Sequence, residues 1–276
     1  MKLYLHTLPK AGTYFMAELV GRLGYRNTGY HVERLRYLDT FSVDPKTNRE
    51  FPAAARRDVA CFELLRSLQD KEFAFGHYEA SAFPDVLTDF KFICMYRHPR
   101  ETLVSEFIDF RFRRKGVKWV MPTAISDDAD AFVEYMRRQA VHPRNILNNM
   151  LGVQARVLDP YVPSHDPERY LFLNFSDVLH KPEEPMQRLA AFLGVEEELV
   201  TRASRDAREA DTKTRATDLS VDRDGIWSDQ AREEYARLNF QVLVDDARRF
   251  GWTFDPEVVK ERPSFSWLQP STWFVH

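Results

Sequence analysis

A short loop near the amino terminus carries residue types that suit an anion site. Residues 8 to 15 are LPKAGTYF, in which Gly12 lets the backbone approach a ligand closely. The amides of Gly12, Thr13 and Tyr14 would open a helix whose positive end attracts an anion, and Lys10 adds a mobile charge. The same pattern is typical of an ordinary strand-to-helix turn with a solvated lysine. It is not a Walker loop, in which the lysine follows the second glycine and precedes Ser or Thr.

A second candidate for phosphate chemistry follows the apolar run KFICMY. Residues 97 to 105 are RHPRETLVS, with Arg97 at the end of a predicted strand and Ser105 two turns into the next predicted helix. The Arg97 guanidinium can donate hydrogen bonds to two oxygens of one phosphate, while the Ser105 hydroxyl donates to the third. Taken alone, the pair also fits a strand-end arginine and a helix serine bonded back to a carbonyl.

His77 lies between these two motifs, at the end of the apolar run FAFG. A neutral histidine accepts a proton near pH 7, because its ordinary pKa is about 6.5. Its local pattern alone fits a histidine at the end of a core strand equally well.

Together these motifs resemble the sulfotransferase family that uses 3′-phosphoadenosine 5′-phosphosulfate (PAPS). LPKAGTYF resembles that family's 5′-phosphosulfate loop, usually YPKSGTTW, and RHPRETLVS resembles its 3′-phosphate motif. GHYEASAFP is similar to the segment in which a catalytic histidine precedes a proline by seven residues, as His77 precedes Pro84. LFLNFSDVL with KPEEPMQRLAAFLGV resembles the family's Tyr-Glu-Asp triplet, helix and FLG. The resemblance covers about residues 2 to 195.

The resemblance implies a single domain over residues 1–276, with a central parallel sheet flanked by helices in a P-loop-like architecture. It implies PAPS as co-substrate, no metal, and in-line sulfuryl transfer to a hydroxyl, or less readily an amine, of a small-molecule acceptor. His77 would be the base, with Glu79 as an alternative, and Lys10 would stabilise the leaving phosphate. The implied nucleotide contacts are Lys10, Ala11, Gly12, Thr13, Tyr14, Phe15, Arg97, Ser105, Phe175 and Arg223.

Four positions depart from the family pattern. Ala11 stands where the family often has a serine that moderates its lysine, which predicts less restraint on unproductive PAPS hydrolysis. Phe15 replaces a tryptophan that lies on the adenine and Phe175 replaces a tyrosine, so stacking survives but a hydroxyl is lost. SVDRDGIW, residues 220 to 227, lacks the usual basic pair; Arg223 is the candidate substitute, with an exposed loop arginine as the alternative.

Two other functions stay open on the sequence alone. One is a nucleotide-kinase-like phosphotransferase, which would need Mg²⁺ and a Walker lysine. The other is a non-catalytic nucleotide-binding module, which loss of Lys10 or His77 would have favoured. The acceptor and the oligomeric state are not encoded in any pattern of the chain.

The elements that would position these residues alternate between strand and helix. Strand patterns at 2–7, 73–76, 91–96 and 169–175 each precede a loop, and helical patterns follow at about 13–23, 99–110 and 183–194. Strands that alternate with helices predict a parallel sheet covered on both sides. Further helices are predicted at about 129–140, 144–157 and 230–249. Residues 25–58 and 116–128 are predicted to be loops that cover the site.

Composition limits the remaining classes. The net charge of −3 and pI near 6.3 argue against nucleic acid as the main partner. The basic run RFRRKGVK, residues 111 to 118, could recruit an anionic acceptor, but it is interpreted as a solvated helix end, where positive side chains are stabilising in any case. The sequence has no long apolar stretch, so it predicts neither membrane association nor export. A cytoplasmic location is therefore expected. Of the two cysteines, Cys94 lies in an apolar run, and no metal-ligand spacing is present.

Overall fold

The computed structural model describes residues 1–33, 36–57, 61–77, 87–114, 121–141, 166–210 and 221–238. The strands within these ranges form one sheet. Their bounds are β1 Lys2–Thr7, β2 Arg26–Glu33, β3 Arg36–Asp39, β4 Arg56–Arg57, β5 Glu72–Gly76, β6 Phe90–Tyr96 and β7 Tyr170–Asn174.

The sheet is mostly parallel, as the sequence predicts. Its order is β4-β3-β2-β5-β1-β6-β7, and each pair from β2 to β7 in this order is parallel. Only the β2–β3 and β3–β4 pairs are antiparallel. β1 lies between β5 and β6, and its residues Leu3, Tyr4 and Leu5 are fully buried. A strand covered on both faces is apolar along its length, which explains the continuous apolar runs of the central strands.

Helices alternate with the parallel strands. Their bounds are α1 Thr13–Arg22, α2 Pro45–Glu50, α3 Cys61–Ser67, α4 Pro99–Ile108, α5 Asp128–Val141, α6 Phe175–His180, α7 Glu183–Leu193, α8 Glu197–Glu209, α9 Arg223–Ile226 and α10 Asp229–Arg237. A 3₁₀ turn covers Pro52–Ala55, and a π-helical turn, Asp109–Arg113, continues α4. None of these helices is long and apolar enough to cross a bilayer.

The apolar side chains form two clusters. The first joins the sheet to α1, α7 and α8, and it contains Cys94, which is buried as predicted. The second joins α4, α5 and α10, with Phe132 and Tyr135 fully buried at its centre. These two clusters flank the ligand cavity described below.

The prediction of loops over residues 25–58 is wrong. This segment forms β2, β3, α2, the 3₁₀ turn and β4. The register of β2 against β5 shifts between Asn27 and His31, and Gly29 has a φ of 74°. The irregularity breaks the alternation that marks a strand, so the sequence shows no period there.

Most of the other predicted elements that lie within the described ranges are confirmed. The strands near 2–7, 73–76, 91–96 and 169–175 are confirmed, as are the helices that follow and the helix near 129–140. The predicted helix at 144–157, the part of the 230–249 helix beyond residue 238, and residues 115–120 lie outside the described ranges.

Candidate active site

One cavity of about 540 Å³ opens where the parallel strands end. β1, β5, β6 and β7 run in the same direction, so their carboxyl ends meet at one edge, where ligands bind in open α/β sheets. The volume is within the range of small-molecule sites. The sequence motifs that begin at Leu8, Gly76 and Arg97, and the one that contains Phe175, each lie at the end of one of these strands, and every predicted site residue except Ala11 lines the cavity. The lining members of that set are Lys10, Gly12, Thr13, Tyr14, Phe15, His77, Arg97, Ser105, Phe175 and Arg223.

The loop after β1 is held in a fixed shape by its backbone. The Leu8 amide donates to the Met95 carbonyl at 2.8 Å, and the Ala11 amide donates to the Leu8 carbonyl at 3.1 Å. Ala11 is fully buried. Its amide and side chain therefore support the turn and do not face the cavity. Lys10 and Gly12 have φ values of 60° and 85°, so both occupy the left-handed region.

Two phenylalanines flank this loop. The Phe15 and Phe175 rings lie 5.9 Å apart between centroids at an angle of 56°. A Cβ atom on Gly12 would meet the Phe175 ring at 2.3 Å. The positive φ and this close approach both require glycine at position 12.

His77 is oriented by the end of β1. Its Nδ1 lies 2.7 Å from the Thr7 carbonyl oxygen. Because a carbonyl only accepts, Nδ1 carries the proton in the neutral ring, and the lone pair lies on Nε2. The Thr7 hydroxyl lies 3.2 Å from Nδ1 and 2.6 Å from the Thr13 hydroxyl. These contacts connect the base candidate to the first residue of α1.

A second histidine, His31, was missed by the sequence analysis. Its ring packs edge-on to that of His77 with 4.9 Å between centroids, and the Tyr14 hydroxyl lies 3.1 Å from its Nδ1. His31 is buried on β2 and lines the cavity. The irregular register of β2 hides it, since nothing in the sequence marks this segment as a strand.

Arg97 presents a buried positive charge at the end of β6. Its Nη1 donates to the Lys10 carbonyl and its Nη2 to Glu101 Oε2, each at 3.2 Å. The guanidinium also lies 5.3 Å from the centre of the Phe175 ring. Burial lowers the pKa of Arg97 to about 10, while Glu101 opposes this, so Arg97 is charged at neutral pH. Within the described ranges no group accepts from its Nε.

Arg223 reaches the same cavity from α9. Asp222 caps this short helix, its Oδ1 accepting from the Gly225 amide at 2.9 Å. A Cβ on Gly225 would lie 2.5 Å from Asp222 Oδ2, so the glycine suits the cap. Trp227 packs on Phe132 in the second cluster. Arg223 lines the cavity together with Arg97, and its charge contributes to the lowering of the pKa of Arg97.

Three further arginines that the sequence analysis did not assign to the site line the cavity: Arg49, Arg208 and, from the basic run 111–118, Arg114. Arg208 is fixed by donating to the Val178 and Leu179 carbonyls at 2.8 Å each. Within the described residues 111–114, the basic run ends a helix, as interpreted, but it is not solvated at Arg113. Arg113 is buried, because its guanidinium pairs with the buried carboxylate of Asp109 at 3.6 Å.

Two acidic side chains also line the cavity. Glu106 accepts from the Tyr135 hydroxyl at 2.6 Å, and burial raises the pKa of Glu106 to about 7. It is therefore a second group that can exchange a proton near neutral pH. Asp109 pairs with Lys10, with 3.3 Å between Oδ2 and Nζ. Glu79, the alternative base, lies outside the described residues.

The electrostatic character of the cavity follows from these side chains. Among the described residues, the cations that line it are Lys10, Arg49, Arg97, Arg114, Arg208 and Arg223, and the acids are Glu106 and Asp109. This excess suits a ligand with several negative charges. The described residues contain no group of three or more His, Cys, Asp or Glu arranged to hold a metal ion.

Comparison with known proteins gives a family and a fold. The family model described as "Sulfotransferase domain" matches residues 2–235. A search of curated proteins found no significant match. Among solved structures, mouse sulfotransferase SULT7A1 complexed with PAP is 17% identical, with a TM-score of 0.52 over 90% of this chain and 87% of that one. Retinol dehydratase in complex with androsterone and PAP is 19% identical, with a TM-score of 0.56 over 92% and 82% of the two chains. At these identities the structural likeness shows the fold alone.

Proposed function

The chain belongs to the sulfotransferase family, and from that membership we propose that it transfers a sulfuryl group from PAPS to a small-molecule acceptor. The acceptor group is a hydroxyl, or less readily an amine. The observation that carries the choice of donor is the excess of cations around one cavity at the strand ends, of which Arg97 is buried and Arg223 is exposed. PAPS bears a phosphate at each end of its ribose and a sulfuryl group, so it matches this charge.

The placement of the cations supports separate sites for the two phosphates. Lys10 lies on the loop after β1, and the first amides of α1 follow directly. A 5′-phosphate bound there would meet the positive end of the helix. Arg97, Ser105 and Arg223 lie on the elements after β6 and on α9, and they would hold the 3′-phosphate. The unpartnered Nε of Arg97 supports this role, because a buried guanidinium N–H needs an acceptor.

The structural neighbours support the same donor. The SULT7A1 structure contains PAP, adenosine 3′,5′-bisphosphate, and retinol dehydratase has been solved with PAP and either androsterone or retinol. PAP is what remains when PAPS loses its sulfuryl group. Androsterone and retinol are small apolar alcohols, which supports a small hydroxyl-bearing acceptor here.

The geometry supports an in-line transfer without a covalent intermediate. His77 Nε2 accepts the proton of the acceptor hydroxyl as its oxygen attacks sulfur, and the bond from sulfur to the 5′-phosphate oxygen breaks. Lys10 and the loop amides stabilise the negative charge that grows on that oxygen. The products are the sulfated acceptor, PAP and a proton on His77. Positioning and electrostatics supply most of the rate, by analogy with phosphoryl transfer.

Nucleotide binding by Arg97→Ala tests this assignment. The variant should lose about tenfold or more in affinity for PAP and much less for adenosine 5′-phosphate, because only PAP carries the 3′-phosphate. Isothermal titration calorimetry measures both constants. Arg100→Ala is the matched control, since Arg100 lies three residues further along the chain, in the first turn of α4, but does not line the cavity. Equal losses for both nucleotides would remove Arg97 from the 3′-phosphate site. Wild-type protein that binds ATP with Mg²⁺ but not PAP would favour the phosphotransferase.

A further inference from the structure

The ammonium of Lys10 has an acidic partner inside the cavity. Its Nζ lies 3.3 Å from Asp109 Oδ2, and the two side chains are 10% and 5% exposed. Burial lowers the pKa of Lys10, and the charge of Asp109 opposes that effect. Asp109 therefore helps to keep Lys10 charged in the protein without nucleotide.

Asp109 is held in place by other groups. Arg114 Nε lies 2.9 Å from its Oδ2, and Arg113 Nη1 lies 3.6 Å from its Oδ1. The Asp109 carbonyl accepts from the Arg114 amide at 2.9 Å across the π-helical turn. Burial acts to raise the pKa of Asp109, but Lys10 and the two arginines bring that pKa below its ordinary value. The carboxylate is ionised at neutral pH, and the fold fixes its position.

The two partners are therefore unequal. Asp109 has three cations within ion-pair distance, whereas it is the only acid within that distance of Lys10 among the described residues. Lys10 can leave Asp109 without stranding a buried charge there, because Arg113 and Arg114 remain. An unpaired Lys10, in contrast, needs another anion close to it.

We propose that Asp109 is a positioning residue that competes with the donor nucleotide for Lys10, so that Lys10 exchanges from Asp109 to the 5′-phosphate side of the donor when the nucleotide binds. The inference rests on the proposed function, since the donor supplies the competing anion. The exchange keeps Lys10 paired in both states. When the nucleotide binds, its interaction with Lys10 replaces the existing ion pair between Lys10 and Asp109. The net gain in binding free energy is therefore smaller, which weakens nucleotide binding in the ground state.

A double-mutant cycle isolates this competition from a general charge effect. Asp109→Asn should bind PAP roughly fivefold or more tightly than wild type, because Lys10 is released to the nucleotide. In a Lys10→Met background, Asp109→Asn should change PAP affinity by less than about half of the change expected when Lys10 is present, since only the general effect of removing a negative charge remains. Calorimetry at one fixed salt concentration gives all four constants. Asp128→Asn, which removes an acid paired with Arg111 outside the cavity, is the matched control and should leave PAP affinity unchanged.

The outcomes separate this inference from the proposed function. If wild-type protein does not bind PAP, the proposed function fails and the inference with it. If PAP binds but the gain from Asp109→Asn is absent, or equal in both backgrounds, the competition alone is overturned. Asp109→Glu keeps the charge beside Arg113 and Arg114 and provides a second test should the Asn variant not fold. It should bind PAP within about twofold of wild type, and a gain comparable to that expected for Asn would overturn the inference.

Discussion

His77 and Lys10 line one cavity, and the proposed function assigns them to opposite partners of the transfer. In that proposal His77 takes a proton from the acceptor, and Lys10 stabilises charge on the donor. His77→Ala removes a proton acceptor and no proposed nucleotide contact. We expect PAP affinity to persist in this variant while kcat falls by about 10² or more. Calorimetry measures the first quantity, and sulfated product formed from a phenol or sterol acceptor measures the second.

The pH profile identifies which group is the base. Activity that depends on neutral His77 declines as pH falls through its pKa, and this limb should vanish from the residual activity of the alanine variant. Glu106 and Glu79 are the competing candidates. Near-normal turnover in His77→Ala, with activity abolished by Glu106→Gln or Glu79→Gln at unchanged PAP affinity, would assign the base to that carboxylate.

Sequence reasoning found the site residues that follow strands, and it found Arg223 only through the family resemblance. Arg97 and His77 directly follow apolar runs, so their position at the strand ends is predictable from the pattern. His31 lies on an irregular strand, and Arg208 comes from the last turn of α8, which reaches the cavity only through tertiary packing. No local spacing encodes such an approach.

At the scale of elements, Glu234 joins α10 to α5. Its carboxylate accepts from Arg137 Nε at 2.9 Å and Nη2 at 3.3 Å, and from Arg237 Nε at 3.0 Å. The side chain of Glu234 is 7% exposed, while the two arginines are about half exposed. The hydrogen bonds from Arg237 and Arg137 lower the pKa of Glu234 to about 2, against an opposing effect of burial.

Glu234→Gln should therefore reduce stability in a pH-dependent way. Because the folded-state pKa is depressed from 4.5 to about 2, the stabilisation is complete above pH 4.5 and is lost as pH falls towards 2. Solvent screening at the arginines limits the effect to about 1 to 2 kcal/mol at pH 7. Urea unfolding at pH 7 and pH 3 measures it, with the exposed neighbour variant Glu233→Gln as control. A loss of equal size at both pH values would contradict the ion-pair explanation.

The elements themselves were predictable in proportion to their regularity. Central strands such as β6 are continuous apolar runs, and α7 places Met186, Leu189 and Leu193 on one buried face. The edge strand β4 and its neighbour β3 have two and four residues, too few to show a period. Their sequence therefore resembles that of the loops on either side.

At the scale of the molecule, the cavity lies between the two hydrophobic clusters. Lys10 and Phe15 approach it from the sheet and α1, while Glu106, Phe110 and Arg223 approach it from the elements around the second cluster. A nucleotide that contacts both sides opposes any opening that separates them. Such openings govern amide exchange in the less stable part of a fold.

Hydrogen exchange should therefore slow far from the nucleotide itself. At a PAP concentration of about 100 times Kd, amides of α5 and α10 that exchange through this opening should gain up to about 100-fold in protection. Exchange mass spectrometry with and without PAP measures the change, and adenosine 5′-phosphate, which lacks the 3′-phosphate, should protect these helices less. A gain confined to the loop after β1 would show that the nucleotide does not couple the two clusters.

The contact between Gly12 and the Phe175 ring also constrains how this sequence can evolve. A side chain at position 12 would overlap the ring at 2.3 Å, and no rotation of the new side chain moves its Cβ. A larger residue at position 12 thus needs both a smaller residue at 175 and a loop with a different backbone. We expect the two positions to vary together among relatives, with glycine at 12 wherever an aromatic residue stands at 175. The steric contact constrains both positions together, although most of the chain separates them in sequence.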